Sequence, residues 1–213
     1  MDIAILGTGN VGSVLGRRLA FLGHSIFFGS RDPNHPRVQS LVGENEARLH
    51  VSPVAEAVRS GEIVILAVPY DSLQELLSQV PDWEGKILVD CTNPLNSTFT
   101  GLQLGFTSSA AEQIALWAPG GKVVKALNTA SVATIAQPSY EQIPATMFYC
   151  GDDMEAKRRV GELIAELGFE GIDSGPLQHA RYLEPMAMLY IHLAVHQRWG
   201  GNCALKMLRR RPL

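Results

Sequence analysis

The stretch AILGTGNVG, residues 4–12, is an apolar run that ends in Gly-x-Gly-x-x-Gly. Apolar residues at helical spacing follow it, with Val11, Val14, Leu15, Leu19 and Leu22 on one face. Such a passage reads as strand, tight turn and helix. Gly7 permits the turn, Gly9 lets a pyrophosphate approach the backbone, and Gly12 lets helix and strand pack closely. Free N–H groups and the helix dipole then favour an anion. A ligand-free βα turn is the alternative. The position of the unit at the N-terminus favours a dinucleotide.

The next apolar run, SIFFGSRDP (25–33), is where such a unit meets the adenosine ribose. An acid there would bind both ribose hydroxyls. Here stand Ser30 and Arg31, and a guanidinium can pair a 2′-phosphate in a bidentate way while the serine adds a hydroxyl donor. NADP is therefore expected over NAD. Asp32 reads either as a turn former before Pro33 or as a ribose acid displaced by one residue. His35 and Arg37 read as a solvated loop.

Further strands are expected at 63–68, 86–90, 122–127 and 145–150, with helical patterns between them. Leu73, Leu76, Leu77 and Val80 form one such face, and Val160, Leu163, Ile164 and Leu167 another. TSSAAEQIALWAPGG (107–121) opens on cap-type residues and closes on Pro-Gly-Gly. The alternation predicts an α/β fold, a Rossmann-type doubly wound and mostly parallel sheet. A short strand in FEGIDSG (169–175) closes a nucleotide domain over 1–175. A C-terminal helical appendage over 176–213 follows, helical to about residue 199, with a kink or restart expected at Pro185. RRRPL (209–213) reads as a solvated tail.

Ligands of an open parallel sheet lie beyond the carboxyl ends of its strands. Three such ends carry suggestive residues. AVPYDS offers Val68 and Pro69 to the adenine side, DCTNPL places Asn93 and Pro94 near a nicotinamide, and KALNTAS offers Asn128 and Thr129 to a carboxamide or acceptor. Turn chemistry alone accounts for each singly; together they favour one shared site.

Bulk properties agree. The chain has 213 residues, is 46% hydrophobic and carries a net charge of −3, which gives no reason to expect a nucleic-acid or membrane partner. MDIAILG lacks the basic region of a signal peptide, and YLEPMAMLYIHLAVHQRW is too short and polar to span a bilayer. Cys91, Cys150 and Cys203 are odd in number and scattered, so a reducing cytoplasm is expected. His192 and His196 are four apart, but no third ligand accompanies them, and no metal site is expected. No nucleophile context or paired carboxylate suggests hydrolysis, and no catalytic acid or base is assigned. Hydride transfer needs close placement more than either.

The segments LGTGNVG, GSRDP, AVPYDS, GFTSSAAEQIA, VVKALNT, CGDD, DSGPLQHARYLEPMAML and GNCALKML together resemble the NADPH-dependent coenzyme F420 reductase family. They are also similar to the cytosolic oxidoreductase domain of the six-transmembrane metalloreductases. The first resemblance implies hydride transfer between NADP(H) and a deazaflavin, the second transfer from NADPH to a flavin. By position it places NADP on Thr8, Gly9, Asn10 and Val11, and the 2′-phosphate on Ser30 and Arg31. It also implicates Val68, Pro69, Ser72, Asn93, Asn128, Val132 and Cys203. It implies a C-terminal helix that helps form the acceptor pocket and a homodimer contact. Where some members carry a histidine before the threonine of ALNT, this chain carries Asn128. The expectation is an NADP(H)-dependent oxidoreductase with a deazaflavin or flavin acceptor. An NADPH-binding sensor without turnover and a reductase of a small metabolite are the alternatives.

Overall fold

Runs of β-branched and leucine residues such as IVIL and ILVD are buried on both faces, as the inner strands of a parallel sheet must be. In the computed structural model, which describes residues 1–43 and 47–210, these runs form one eight-stranded sheet. The strands are β1 (Asp2–Leu6), β2 (Ser25–Ser30), β3 (Leu49–Pro53), β4 (Ile63–Leu66), β5 (Ile87–Asp90) and β6 (Lys122–Lys125). A small hairpin, β7 (Ser139–Tyr140) and β8 (Ile143–Pro144), precedes β9 (Thr146–Gly151) and β10 (Glu170–Asp173). The order is β10-β9-β6-β5-β4-β1-β2-β3. Every neighbouring pair of this sheet is parallel except β6 and β9. The run β3-β2-β1-β4-β5-β6 is the doubly wound Rossmann arrangement, and its direction of winding reverses between β1 and β4.

The helices are α1 (Asn10–Phe21), α2 (Pro36–Gln39), α3 (Val54–Ser60), α4 (Leu73–Ser78), α5 (Ala110–Trp117), α6 (Val132–Ala136), α7 (Met154–Glu166) and α8 (Ala180–Ile191). The period-two alternation of β1 sends Ile3 and Ile5 to one core and Ala4 and Leu6 to the other. On the first face they meet Leu15 and Leu19 of α1 and Val160 and Leu163 of α7. On the second they meet Val54 and Ala57 of α3, Leu73 and Leu77 of α4, Ile114 of α5 and Leu183 of α8.

Every strand expected from the sequence is present. β3 and α3 were not foreseen, because LHVSP is short, carries His50, Ser52 and Pro53, and reads locally as a loop. Its strand character comes from pairing with β2, Ile26 to Leu49 through Ser30 to Pro53. α8 runs unbroken through Pro185, so the expected restart is not there. A wider π-type turn over His192–His196 follows it. Residues 200–207 then return as an extended strap. Thr146 N–H donates to Leu205 O (2.8 Å), and Ser131 Oγ donates to Gly201 O (2.5 Å). The last three residues of the basic tail, 211–213, lie outside the described residues. Among the described residues no helix is long and apolar enough to cross a membrane.

Candidate active site

The glycine turn lies where the sheet reverses direction. Gly7 has φ +121°, and a Cβ there would stand 2.3 Å from Ala67 O, just past β4. A Cβ on Gly12 would stand 1.9 Å from Gly7 O, so only glycine lets α1 begin so close to β1. A Cβ on Gly9 would meet nothing within 4 Å. Gly9 also caps α1 without a side chain, which leaves the first N–H groups of the helix facing open space. An anion fits that cradle.

The cradle opens into a cleft of about 360 Å³, lined by Gly7, Thr8, Gly9, Ser30, Arg31, Asp32, Val68 and Pro69 among others. An adjoining hollow of about 90 Å³ shares Arg31, Val68 and Pro69 and adds Ser72. The tip of β2 is therefore a wall of the cleft, as its sequence requires. Asp32 is a turn residue here. Its Oδ1 accepts from Asn34 N–H at 3.2 Å, and its own N–H donates to Ser30 Oγ at 3.2 Å. Ser30 keeps its hydroxyl proton to donate. His35 is likewise absorbed by its loop, its Nδ1 accepting from Arg37 N–H at 3.2 Å. The exposed Arg31 guanidinium has no hydrogen bond or ion pair among the described residues.

Asn10 and Val11 sit in the first turn of α1 behind the cradle. At the ends of β5 and β6, Asn93 and Asn128 hold each other. Asn93 Nδ2 donates to Asn128 O (2.9 Å), and Asn128 Nδ2 donates to Asn93 Oδ1 (3.0 Å) and to Leu183 O (3.1 Å). These acceptors fix the amide's orientation and leave Asn128 Oδ1 buried without a partner. Leu127, just before it, is held at φ +63°, a region that costs a branched side chain energy and that clusters at functional sites. Val132 opens α6, four residues beyond Asn128. Cys203 lies on the strap above α6, with its carbonyl accepting from Thr134 Oγ1 at 3.1 Å. The structure thus gathers the glycine turn, Ser30, Arg31, Val68, Pro69 and Ser72 around adjoining hollows. It pairs the two asparagines, and sets Val132 and Cys203 together at α6.

Beneath the asparagines lies a feature that sequence reasoning missed. Asp90, Lys125 and Glu184 are all fully buried. Lys125 Nζ meets Asp90 Oδ2 at 2.8 Å, Glu184 Oε1 at 2.8 Å and Thr92 O at 2.5 Å. Asp90 Oδ1 accepts from Thr92 N–H (2.8 Å) and Oγ1 (2.7 Å). Glu184 also accepts from Ala110 N–H (3.0 Å) and Ala111 N–H (3.3 Å) at the start of α5. Burial pushes the Glu184 carboxyl up, against the pull of Lys125. Burial alone would lower Lys125, but Asp90 and Glu184 outweigh it and raise the ammonium. The available signal was charge of both signs inside apolar runs, in ILVD, KVVK and YLEPMAML.

A third cleft, of about 450 Å³, is lined by Leu102, Leu104 and Phe106 and the α8 residues Pro185 and Met188. Gln103 ties the 93–106 loop down. Its N–H donates to Pro94 O at 2.6 Å, and its Nε2 donates to Asp71 Oδ1 at 3.1 Å. Among the described residues no group of three or more His, Cys, Asp or Glu side chains could hold a metal ion.

Comparison with known proteins points one way. The family described as NADP oxidoreductase, coenzyme F420-dependent, matches residues 2–94. The F420-dependent NADP reductase of Methanothermobacter marburgensis is 30% identical over 212 residues, covering 93% of this chain and 94% of that protein. A crystal structure described as a proposed F420-dependent NADP reductase from Arthrobacter sp. FB24 superposes with a TM-score of 0.89 at 31% identity, over 98% of this chain and 100% of the other. The rat metalloreductase STEAP3 is 33% identical over 186 residues, but the chain spans only 36% of that protein's length.

Proposed function

The chain belongs to the F420-dependent NADP reductase family, and we propose that it is an NADP(H)-dependent oxidoreductase whose partner in hydride exchange is a planar deazaflavin or flavin. A nucleotide held in the cleft that the glycine turn opens would supply hydride chemistry at nicotinamide C4: reduction of the acceptor would break the C4–H bond as a bond to hydrogen forms on the acceptor with uptake of one proton from solvent, and the reverse reaction would release that proton.

The open Gly9 cradle and the uncapped start of α1 receive the pyrophosphate, with Gly7, Thr8, Asn10 and Val11 shaping the turn. Arg31 and Ser30 take the 2′-phosphate, and Val68, Pro69 and Ser72 flank the adenosine. Asn93 and Asn128, paired at the ends of β5 and β6, stand at the nicotinamide end of the nucleotide and fix the wall there. Val132 and Cys203 flank the same end. A flat acceptor lies against the apolar cleft between residues 102–106 and α8, with residues 1–175 carrying most of the nucleotide contacts and 176–213 completing the acceptor side. In this reading no side chain transfers a proton; the residues act by placement. The outward stripe of α8 meets a second copy of the chain.

The observation that carries the proposal is Arg31, an unengaged guanidinium on the rim of the cleft that the glycine turn opens. A charge-assisted hydrogen bond contributes about 1.5–3 kcal/mol. Arg31→Ala is therefore expected to weaken NADPH by roughly tenfold to a hundredfold in calorimetry, and NADH hardly at all. Equal loss for both nucleotides would overturn the assignment. Mixing NADPH with F420, FMN or riboflavin should bleach its absorbance band. Tight binding without oxidation would make the protein a sensor.

A further inference from the structure

Three consecutive residues of α8 face three different things. Leu183 O accepts from the Asn128 amide at 3.1 Å. Glu184 joins Lys125 and the start of α5. Pro185 lines the apolar cleft beside Met188. From Glu184 a continuous chain of short polar contacts runs to the other asparagine. Lys125 Nζ touches Glu184 Oε1 at 2.8 Å and Thr92 O at 2.5 Å, and Thr92 immediately precedes Asn93. Asp90 closes the loop by holding Thr92 through both its N–H and its hydroxyl.

We infer that Glu184, through Lys125, is a positioning residue that fixes the spacing between the Asn93–Asn128 pair and the α8 wall of the acceptor cleft, and so the distance over which hydride moves. The inference rests on the functional reading above. Stability alone does not call for such a group. Three buried charges carry a large desolvation cost, and apolar side chains of similar volume hold cores together as well or better. What the ionic network adds is direction. Each proton of the ammonium has one acceptor, so β5, β6 and α8 have one mutual arrangement. Hydride transfer is sensitive to that, since reacting atoms must lie about 3–3.5 Å apart and a 1 Å error can cost on the order of a hundredfold.

The test is single-turnover kinetics on Glu184→Gln, with NADPH carrying either hydrogen or deuterium at C4 and whichever of F420, FMN or riboflavin the natural protein reduces. Expected are an NADPH Kd within about twofold of the natural protein's and a hydride-transfer rate lower by on the order of tenfold to a hundredfold. The deuterium isotope effect should change as well. An unchanged rate and isotope effect would overturn the inference and leave a purely structural network. So would a loss of rate matched by an equal loss of NADPH affinity. If Glu184→Gln does not fold, the triple change Asp90→Asn, Lys125→Met and Glu184→Met removes all three charges together and leaves the residue-90 side-chain oxygen to accept from Thr92. It should fold, bind NADPH and still transfer hydride slowly. Transfer at the natural rate would overturn the inference. Failure of the natural protein to bind NADPH, or to reduce any of the three acceptors, overturns the functional reading and this inference with it, before any variant is made.

Discussion

One methyl group distinguishes two glycines of the same turn. At Gly12 it would sit 1.9 Å from Gly7 O, a backbone atom that cannot move without displacing β1 or α1. Gly12→Ala is expected to destabilise the protein by about 1–3 kcal/mol, read as a lower thermal midpoint, and to abolish NADPH binding. At Gly9 the methyl would meet nothing within 4 Å. Gly9→Ala should therefore keep the midpoint and lose only the nucleotide. A fall of the midpoint in both variants would show that the turn is structural and the cradle incidental. These residues were legible in the sequence because their chemistry is local: a tight turn and a helix start lie within six residues. Arg31 was legible for the same reason. Asp32 was not, since only the Asn34 N–H on its carboxylate shows that it shapes a turn. Lys125 stands 35 residues from Asp90 and 59 from Glu184, and no periodicity in the sequence brings them together.

At the scale of elements, α5 and α8 are joined at their rims as well as through Glu184. Ser109 caps α5, its Oγ accepting from Glu112 N–H at 3.2 Å, and Glu112 reaches across to Arg181 on α8. Arg181 Nη2 meets Oε1 at 2.6 Å and Nε meets Oε2 at 2.9 Å, a two-pronged pair. The Arg181 hydrogen bond holds the Glu112 carboxyl below the usual carboxylate range. A depressed folded-state pKa stabilises the fold fully above the unfolded-state pKa and loses that contribution as pH falls through the folded value. Glu112→Gln should therefore lower the urea midpoint at neutral pH, and the gap from the natural protein should narrow as pH falls below the ordinary glutamate range. A gap that persists in acid would show that shape, not charge, is what Glu112 contributes. The cap itself was readable as Ser-x-x-Glu. The ion pair was not, because it depends on where α8 docks. For the same reason β3 escaped notice: its pairing with β2 creates a strand that its own residues do not announce.

For the whole molecule, the doubly wound, mostly parallel sheet followed from alternating strands and helices, but the place of β3 at its edge and the reversal of β9 did not. A parallel return needs a crossover of a dozen or more residues, usually a helix packed over the sheet. The twenty residues between β6 and β9 exceed that length, but their one helix, α6, is only five residues and a small hairpin takes up much of the rest, so nothing carries the chain back across the sheet and it re-enters from the same end. That arrangement leaves α8 on one flank of the sheet with Leu183 and Ala187 in the core and Tyr182 and Leu189 outward, at 65% and 56% exposure. The exposed Phe106 stands across the cleft proposed for the acceptor from that helix. Contiguous apolar surface on a small protein marks a contact, and a two-fold axis lets one stripe serve both partners. The expected state in sedimentation is a homodimer, and Leu189→Asp should shift it to monomer by placing two carboxylates in one contact. NADPH affinity should be unchanged in that variant, because none of the residues assigned to the nucleotide lies on α8. Reduction of the acceptor should fall, since Met188 beside it lines the acceptor cleft. A natural protein that sediments as a monomer at micromolar concentration would show that the stripe serves the acceptor alone.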